Sequence, residues 1–376
     1  MSGKIDTTQE RKGTRRKFLK YGITAAVAGA VGAGSSFFTL QPRIDQLQAG
    51  ALDLQAELSA ARAHSRIPPA ETLAPIPNSA RGPAIDPSKG YFVQEIRNGV
   101  YWVTDSIYQA MFLTTGKGVI VVDAPPSIGK NMVKAIAEVT NEPITHVVYS
   151  HSHADHISAA GMYPPDATYI AHVETAARLA VSSPTFGLFV GGSKVPLPTV
   201  TFSETYTLSV GSQTLELSYK GPAHEAGNIF IYAPQQKVLM LVDVIFPGWT
   251  PFKNLAVAEH APDFIRAHDE VLSFDFDTLI GGHLDRLGTR QDVEVQREYV
   301  QDMVTNATEA LKTVDFGAIV QKTGFDDPWF VFATYLDAVI QKATDLTVPK
   351  WKGRLAAVDV FTYDHLSNLV ESLRID

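Results

Sequence analysis

The stretch Ser150-His151-Ser152-His153-Ala154-Asp155-His156 sets three imidazoles and a carboxylate within seven residues, in a chain of 376 residues with only 11 histidines and no cysteine. Such groups bind divalent metal through nitrogen and oxygen. His151 and His153 stand two apart after the apolar run ITHVVYS. In extended backbone alternate side chains share a face, so both can reach one ion. Asp155 and His156 come where the chain should turn into a helix and point elsewhere, which suits a second, adjacent ion. One loop does not fill two coordination spheres, so further ligands must come from downstream. Three positions qualify: His224 in the Gly/Pro turn GPAHEAGN, Asp243 in the apolar run VLMLVDVIF, and His283 after the strand and two glycines of LIGG. A carboxylate among apolar residues is costly unless paired or metal-bound, which makes Asp243 the most telling of the three. His146, His172, His260, His268 and His365 have no such partners and read as ordinary residues; His64 lies ahead of the body.

Elements must bring these groups together. GVYWVTD and QAMFLTTGKGVIVVDAP read as strands, with Gly116 and Gly118 at a hairpin turn. IGKNMVKAIAEVT reads as an amphipathic helix, and ITHVVYS as a buried strand delivering its end to His151. After Thr199 a second half repeats the plan: TVTFSETYTLSV, QTLELSYKG and NIFIYAPQQKVLMLVDV as strands, APDFIRAHDEVLSF as a helix, DTLIGG as a last strand. Two such halves predict sheet packed on sheet with helices outside. Residues 289–376 read as mostly helical. Their aromatics (Trp329, Phe330, Phe332, Tyr335, Trp351, Phe361, Tyr363) are too many for a solvated tail, so this extension is expected to pack over the core, at an edge of the pocket or in a homodimer contact.

The H-x-H-x-D-H motif, a later His in a Gly/Pro turn, an Asp in an apolar strand and a final Gly-His resemble the metallo-β-lactamase-fold hydrolase superfamily over roughly residues 91–288. The resemblance implies an α/β, four-layer αββα sandwich as the catalytic domain (89–288), with the helical extension 289–376 behind it. It also implies His151, His153 and His224 around one zinc, Asp155, His156 and His283 around another, and Asp243 bridging. Two Zn2+ per chain are expected, with iron and manganese as open alternatives. In such sites a metal-bound hydroxide attacks a small-molecule acyl substrate, and Asp155 is the catalytic group that orients it and shuttles its proton.

The sequence departs from one lactamase subclass that it otherwise resembles in GPAHEAGN and KNLA (Lys253–Ala256). Asp243 stands where that subclass has a Cys ligand, and Phe246 where it has the Lys that holds the substrate carboxylate. A bridging Asp resembles instead the lactonases, glyoxalase-type thioesterases, phosphodiesterases and alkylsulfatases. A lactone or other ester is therefore expected, with a β-lactam or thioester next. The alternatives are a metal-dependent phosphodiesterase or sulfatase, then an iron-dependent oxidoreductase of the same fold or an inactive binding protein. The expected substrate-binding residues are Tyr108 in the flap Ser106–Gln109, and Phe246, Trp249, Phe252, Lys253 and Asn254 in an aromatic loop.

Charge narrows the partners. The formal net charge is −8, but residues 1–20 carry seven basic and two acidic groups, which leaves −13 for the rest. An acidic body is a poor binder of nucleic acid. At the N-terminus, TRRKFLK precedes the uncharged run Tyr21–Leu40 and closely resembles a twin-arginine export signal. Residues 1–42 are thus expected to engage the twin-arginine export machinery and place the protein in the periplasm. Ala49-Gly50-Ala51 has the form of a cleavage site. The same run is long enough to span a bilayer, so an uncleaved membrane anchor in the inner membrane is the alternative. Residues 43–63 read as a short helix, and Pro-rich Arg66–Gly90 as the linker completing segment 43–88.

Overall fold

The computed structural model describes residues 68–181 and 194–376. The twin-arginine motif, the run Tyr21–Leu40 and the helix expected over 43–63 lie outside the described residues. Among the described residues no helix is long and apolar enough to cross a membrane.

Strand β4 (Val119–Val122) shows how the layers stack, because all four residues are buried. Val119 and Val121 enter one core with Met132, Ala135 and Ile136 of helix α1 (Asn131–Val139). Ile120 and Val122 enter another, with Leu215, Leu217, Ile231 and Met240 of a second sheet. The two-residue period of a strand forces this split, and a continuous apolar run is what a strand covered on both faces requires.

The first sheet runs β1 (Phe92–Arg97), β2 (Val100–Thr104), β3 (Gln109–Thr114), β4, β5 (Ile144–Val148), β6 (Thr168–His172) and β7 (Val200–Phe202). Pairing is antiparallel up to β4 and parallel from β4 to β7. The second sheet has β8 (Thr205–Val210), β9 (Gln213–Ser218), β10 (Phe230–Ala233), β11 (Val238–Met240) and β12 (Thr278–Ile280), in the order β12-β11-β10-β9-β8. Its last pair, β11 with β12, is parallel. The parallel strands of both sheets end on one rim, where open α/β sheets place their ligands.

Outside the first sheet lie α1, the single turn α2 (Ala154–Ile157) and α3 (Val173–Ala180). The outer face of the second sheet, with Phe230 and Leu239, is covered by α4 (Ala261–Leu272), α5 (Arg290–Thr313), α7 (Pro328–Trp351) and α8 (Val358–Ile375) in one continuous core; α6 (Phe316–Thr323) has no buried residue. The chain is therefore the expected αββα sandwich with a C-terminal helical region, and that region completes the fourth layer. Trp351 is fully buried, its Nε1 donating to Asp302 (2.7 Å). Trp329 and Phe330 are exposed, contrary to expectation, because they stand in the first turn of α7, whose buried residues begin at Val331.

Strands β1 and β6 and helix α3 add to the elements the sequence suggested. β1 is an edge strand with Gln94 and Glu95 exposed side by side, so it lacks the alternation that marks a strand. His172 caps α3, its Nδ1 accepting from the Glu174 amide (3.2 Å). From Pro68 the Pro-rich stretch lies on the body: Ala74 N donates to Asp359 (2.7 Å), and the Ala80 carbonyl accepts from Trp249 Nε1 (3.0 Å).

Candidate metal centre

β5 leads through Tyr149 and Ser150 into His151, and the loop is tied from beneath. Asp123 accepts from the Ser150 amide (2.8 Å), and Ala124 N donates to the His156 carbonyl (2.7 Å). Ser150 Oγ lies 2.9 Å from His151 Nδ1, which leaves Nε2 for the site. His153 is the last extended residue and α2 begins at Ala154. Asp155 and His156 thus project from a helical turn, on a different side from His151 and His153, as their spacing predicts.

The second sheet supplies the rest, with one correction. The sequence places Asp243 in a strand, but β11 stops at Met240 and Asp243 has a left-handed φ of 65°. Its amide donates to Gly281 O (3.1 Å), and Asn228 Nδ2 holds the Val242 carbonyl (2.9 Å). These contacts turn the carboxylate out of the strand's line and into the site. Asp is among the residues that tolerate this conformation. Gly282, before His283, has φ of 89°, and a Cβ there would sit 2.6 Å from Val242 Cγ1. Only glycine lets the two strand ends approach so closely.

All seven expected ligands converge. His151, His153, His224 and Asp243 form one group, and Asp155, His156 and His283 the other; within each, one ligand atom per residue lies within 4.8 Å of the rest. Asp243 reaches both. Its Oδ2 is 3.4 Å from Nε2 of His151 and of His224 and 3.2 Å from His156 Nε2, while Oδ1 is 2.9 Å from His283 Nε2. Asp155 Oδ2 lies 3.7 and 3.8 Å from His156 and His283.

This donor set fits a divalent cation. His156 Nε2 and His283 Nε2 are 3.1 Å apart, and His224 Nε2 and His153 Nδ1 2.9 Å apart. Lone-pair nitrogens at such distances need a proton or a cation between them. His151 Nε2 is buried without a hydrogen-bond partner, a state native proteins rarely leave unexplained. Burial alone would raise the Asp243 pKa, but His156 and His283 outweigh it and hold the carboxyl well below the usual range. Burial drives His224 down to about 3, so that imidazole is neutral and its lone pair free to coordinate.

Two polar residues that the sequence did not single out support the centre. Glu225 is fully buried. Its Oε1 accepts from Ser152 N and Oγ (2.6 and 2.7 Å), and its Oε2 from Arg178 Nη1 (2.8 Å), with His153 Nε2 3.2 Å away. The proton on His153 Nε2 is thereby fixed, and Nδ1 is left for the site. Burial opposes ionisation of Glu225, but the hydrogen bond from His153 and the nearby imidazoles keep it well below the usual carboxylate range. Gln109 holds the opposite side: its Nε2 lies 2.6, 3.2 and 3.1 Å from the carbonyls of His283, Leu284 and Arg286. This latches the flap to the loop that carries His283.

Above the centre opens a cavity of about 400 Å3 with His153, Asp155, Asp243 and His283 in its lining. Of the expected substrate-binding residues, Tyr108, Phe246, Trp249 and Phe252 line it; Lys253 and Asn254 do not. Tyr108 Oη lies 3.2 Å from Asp155 Oδ2, and its ring packs on His283 (centroids 4.6 Å apart). The Lys253 ammonium faces Asp364 (4.0 Å). The cause is local: Asn254, Leu255, Ala256 and Val257 all have φ between 52° and 57°, a left-handed turn. For L-residues other than Gly this costs roughly 1–2 kcal/mol each. The turn puts Ala256 and Val257 in the cavity wall, which Ala357 and Phe361 of the C-terminal region complete.

Comparison with known proteins agrees with this architecture. The sequence profile of the metallo-beta-lactamase superfamily matches residues 103–283. The alpha subunit of 2,4-dinitroanisole O-demethylase from Nocardioides sp. (strain JS1661) is 27% identical over 245 residues, covering 62% of this chain and 70% of that one. Among solved structures, the stereoselective inverting sec-alkylsulfatase Pisa1 from Pseudomonas sp. superposes with a TM-score of 0.51 at 17% identity, over 76% of this chain. This chain spans only 49% of that enzyme's length, and the likeness is one of fold. A metallo-beta-lactamase from Pontibacter korlensis matches with a TM-score of 0.46 at 20% identity, over 56% of this chain and 99% of its own. The sandwich and the convergent ligand positions are those of the metallo-beta-lactamase fold, and residues 103–283 match the profile of that superfamily.

Proposed function

We propose that the protein is a dinuclear, metal-dependent hydrolase of small, uncharged, hydrophobic esters, lactones foremost, with zinc as the ion that best suits its nitrogen and oxygen ligands. The observation that carries this reading is the cavity: its floor is the metal groups, its walls are aromatic and aliphatic, and among the described residues none that lines it is Lys or Arg. Away from the metal groups, an anionic group on the substrate would meet no cationic side chain in this cavity. The uncharged ester is therefore favoured over the alkyl sulfate, the phosphodiester and the β-lactam.

Bound divalent ions would supply Lewis acidity and lower the pKa of a water. The remaining work falls to side chains. Burial opposes ionisation of Asp155, but His156 and the other imidazoles outweigh it and keep the carboxyl below its ordinary value, so it accepts a proton at neutral pH. In hydrolysis the oxygen of water bonds to the acyl carbon, the acyl–oxygen bond breaks, and the proton taken by Asp155 passes to the departing alkoxide. Tyr108 keeps its own proton, because burial and then Asp155 push its pKa up; its hydroxyl can hydrogen-bond a substrate oxygen beside Asp155. Phe246, Trp249, Phe252 and Phe361 hold the hydrophobic part of the substrate and exclude water.

The second reading is hydrolysis of an activated aromatic ether. It is favoured by the O-demethylase subunit among the relatives and by the aromatic walls. A panel of neutral lactones and esters, a thioester, a β-lactam, an alkyl sulfate, a phosphodiester and a nitroaryl methyl ether separates these. The highest kcat/KM is expected for neutral lactones or esters, rising with apolar chain length. Turnover confined to sulfate or phosphate esters would contradict the proposal, and turnover confined to the aryl ether would select the second reading.

A further inference from the structure

We propose that His365 is a specificity-determining positioning residue, through which α8 holds the left-handed turn Asn254–Val257 in the wall of the cavity. Four successive non-glycine residues in this conformation do not hold themselves there. Leu255, Ala256 and Val257 have no side-chain hydrogen bond to offer the backbone. Strained backbone persists where the surroundings over-determine it, and it gathers at ligand sites. Here the surroundings are α8. The Leu255 amide donates to His365 Nδ1 (2.9 Å), a bond buried on both sides. Asn368, one turn along α8, reaches the Asn254 carbonyl with its Nδ2 (3.3 Å). The Leu255 side chain is fully buried in the core that contains Leu366 and Leu369.

The consequence lies in the cavity. With Leu255 anchored inward, the next two residues, Ala256 and Val257, line the cavity and join Phe252 as the wall. Phe252 is braced edge-to-face on Phe361 of α8 (centroids 5.3 Å apart). Released, the turn would relax towards right-handed or extended backbone and change which side chains face the substrate. Burial holds His365 neutral, its pKa driven down to about 3, so Nδ1 remains an acceptor across the working pH range. Selectivity for the apolar part of the substrate is thus set from a helix that follows the matched domain.

The choice of substrates in the test rests on the hydrolase reading; the exchange measurement does not. In the full chain, His365→Leu removes the acceptor and His365→Asn keeps one near the position of Nδ1. Two quantities are read: hydrogen exchange of the Leu255 amide, and KM and kcat for γ-lactones with side chains from methyl to octyl. For His365→Leu, Leu255 exchange is expected to quicken about tenfold or more, KM for the preferred lactone to rise about tenfold, and the spread of KM across the series to flatten, with kcat and bound metal moving by no more than about twofold. His365→Asn should restore both. Should His365→Leu fail to fold, Asn368→Ala is expected to shift exchange and KM in the same direction. Unchanged Leu255 exchange in a folded variant, or a KM series with the wild-type spread, overturns the proposal. If the wild type turns over no lactone, the hydrolase reading fails by itself and Leu255 exchange decides this one.

Discussion

Replacing Asp243 by Ala is expected to abolish measurable turnover and to lower tightly bound divalent metal from about two per chain towards one. Asp243 is the single group that touches both halves of the centre, with Oδ2 near His151, His156 and His224 and Oδ1 near His283. Its removal deletes a ligand from each half and withdraws the negative charge that offsets two cations. The loss should exceed the roughly 10–100-fold that follows removal of an outer hydrogen-bond partner of a ligand. Metal analysis of the dialysed variant beside its kcat/KM checks this. Two tightly held ions with full turnover would remove Asp243 from the centre.

The second large effect is expected at Glu225, which touches no substrate. Glu225→Gln should weaken metal binding at the His151–His153–His224 side about 10–100-fold, with a parallel fall in kcat/KM, and leave the Asp155–His156–His283 side close to wild type. The carboxylate accepts from Ser152 N and Oγ and from Arg178, with His153 Nε2 beside it. Every neighbour is a donor, so an amide, which offers one oxygen and one NH2, leaves at least one of them opposed. His153 then loses the partner that fixes its tautomer. Glu225→Ala should be worse, because it also leaves the buried Ser152 amide and hydroxyl without their acceptor, at about 1–3 kcal/mol for each buried donor left unpaired. Stepwise binding of a divalent ion to the metal-free Glu225→Gln variant reads the first effect. Two wild-type affinities would show that His153 needs no orienting carboxylate.

The parts of the centre that were legible in the sequence are those written in local spacing. His151, His153, Asp155 and His156 declare themselves within seven residues, and the change from strand to helix inside the motif sends the two pairs to different halves of the centre. Asp243 was visible as a carboxylate in an apolar run, yet its placement in a strand was wrong. Residue polarity carries no signal for the left-handed φ that ends β11 and aims the side chain. Glu225 carries no local signal, because a Glu in a Gly/Pro turn ordinarily faces water; its burial depends on Ser152 and Arg178, which are remote in sequence. His365 reads as one more residue on an amphipathic helix, and the amide it accepts from lies 110 residues away. Lys253 was expected beside the substrate, but the left-handed turn that follows it sends Ala256 and Val257 into the cavity while the ammonium faces Asp364. Local spacing names the residues of the motif and local polarity names Asp243, while backbone conformation and distant partners decide where Asp243, Glu225 and Lys253 point.

The most direct test of the central claim is a titration of the metal-free protein with Zn2+ while turnover of a neutral γ-lactone is followed. The account predicts no turnover without metal and a rise that reaches its plateau at about two ions per chain. Full turnover in the metal-free protein, or none with both ions bound for any neutral lactone or ester, would contradict it.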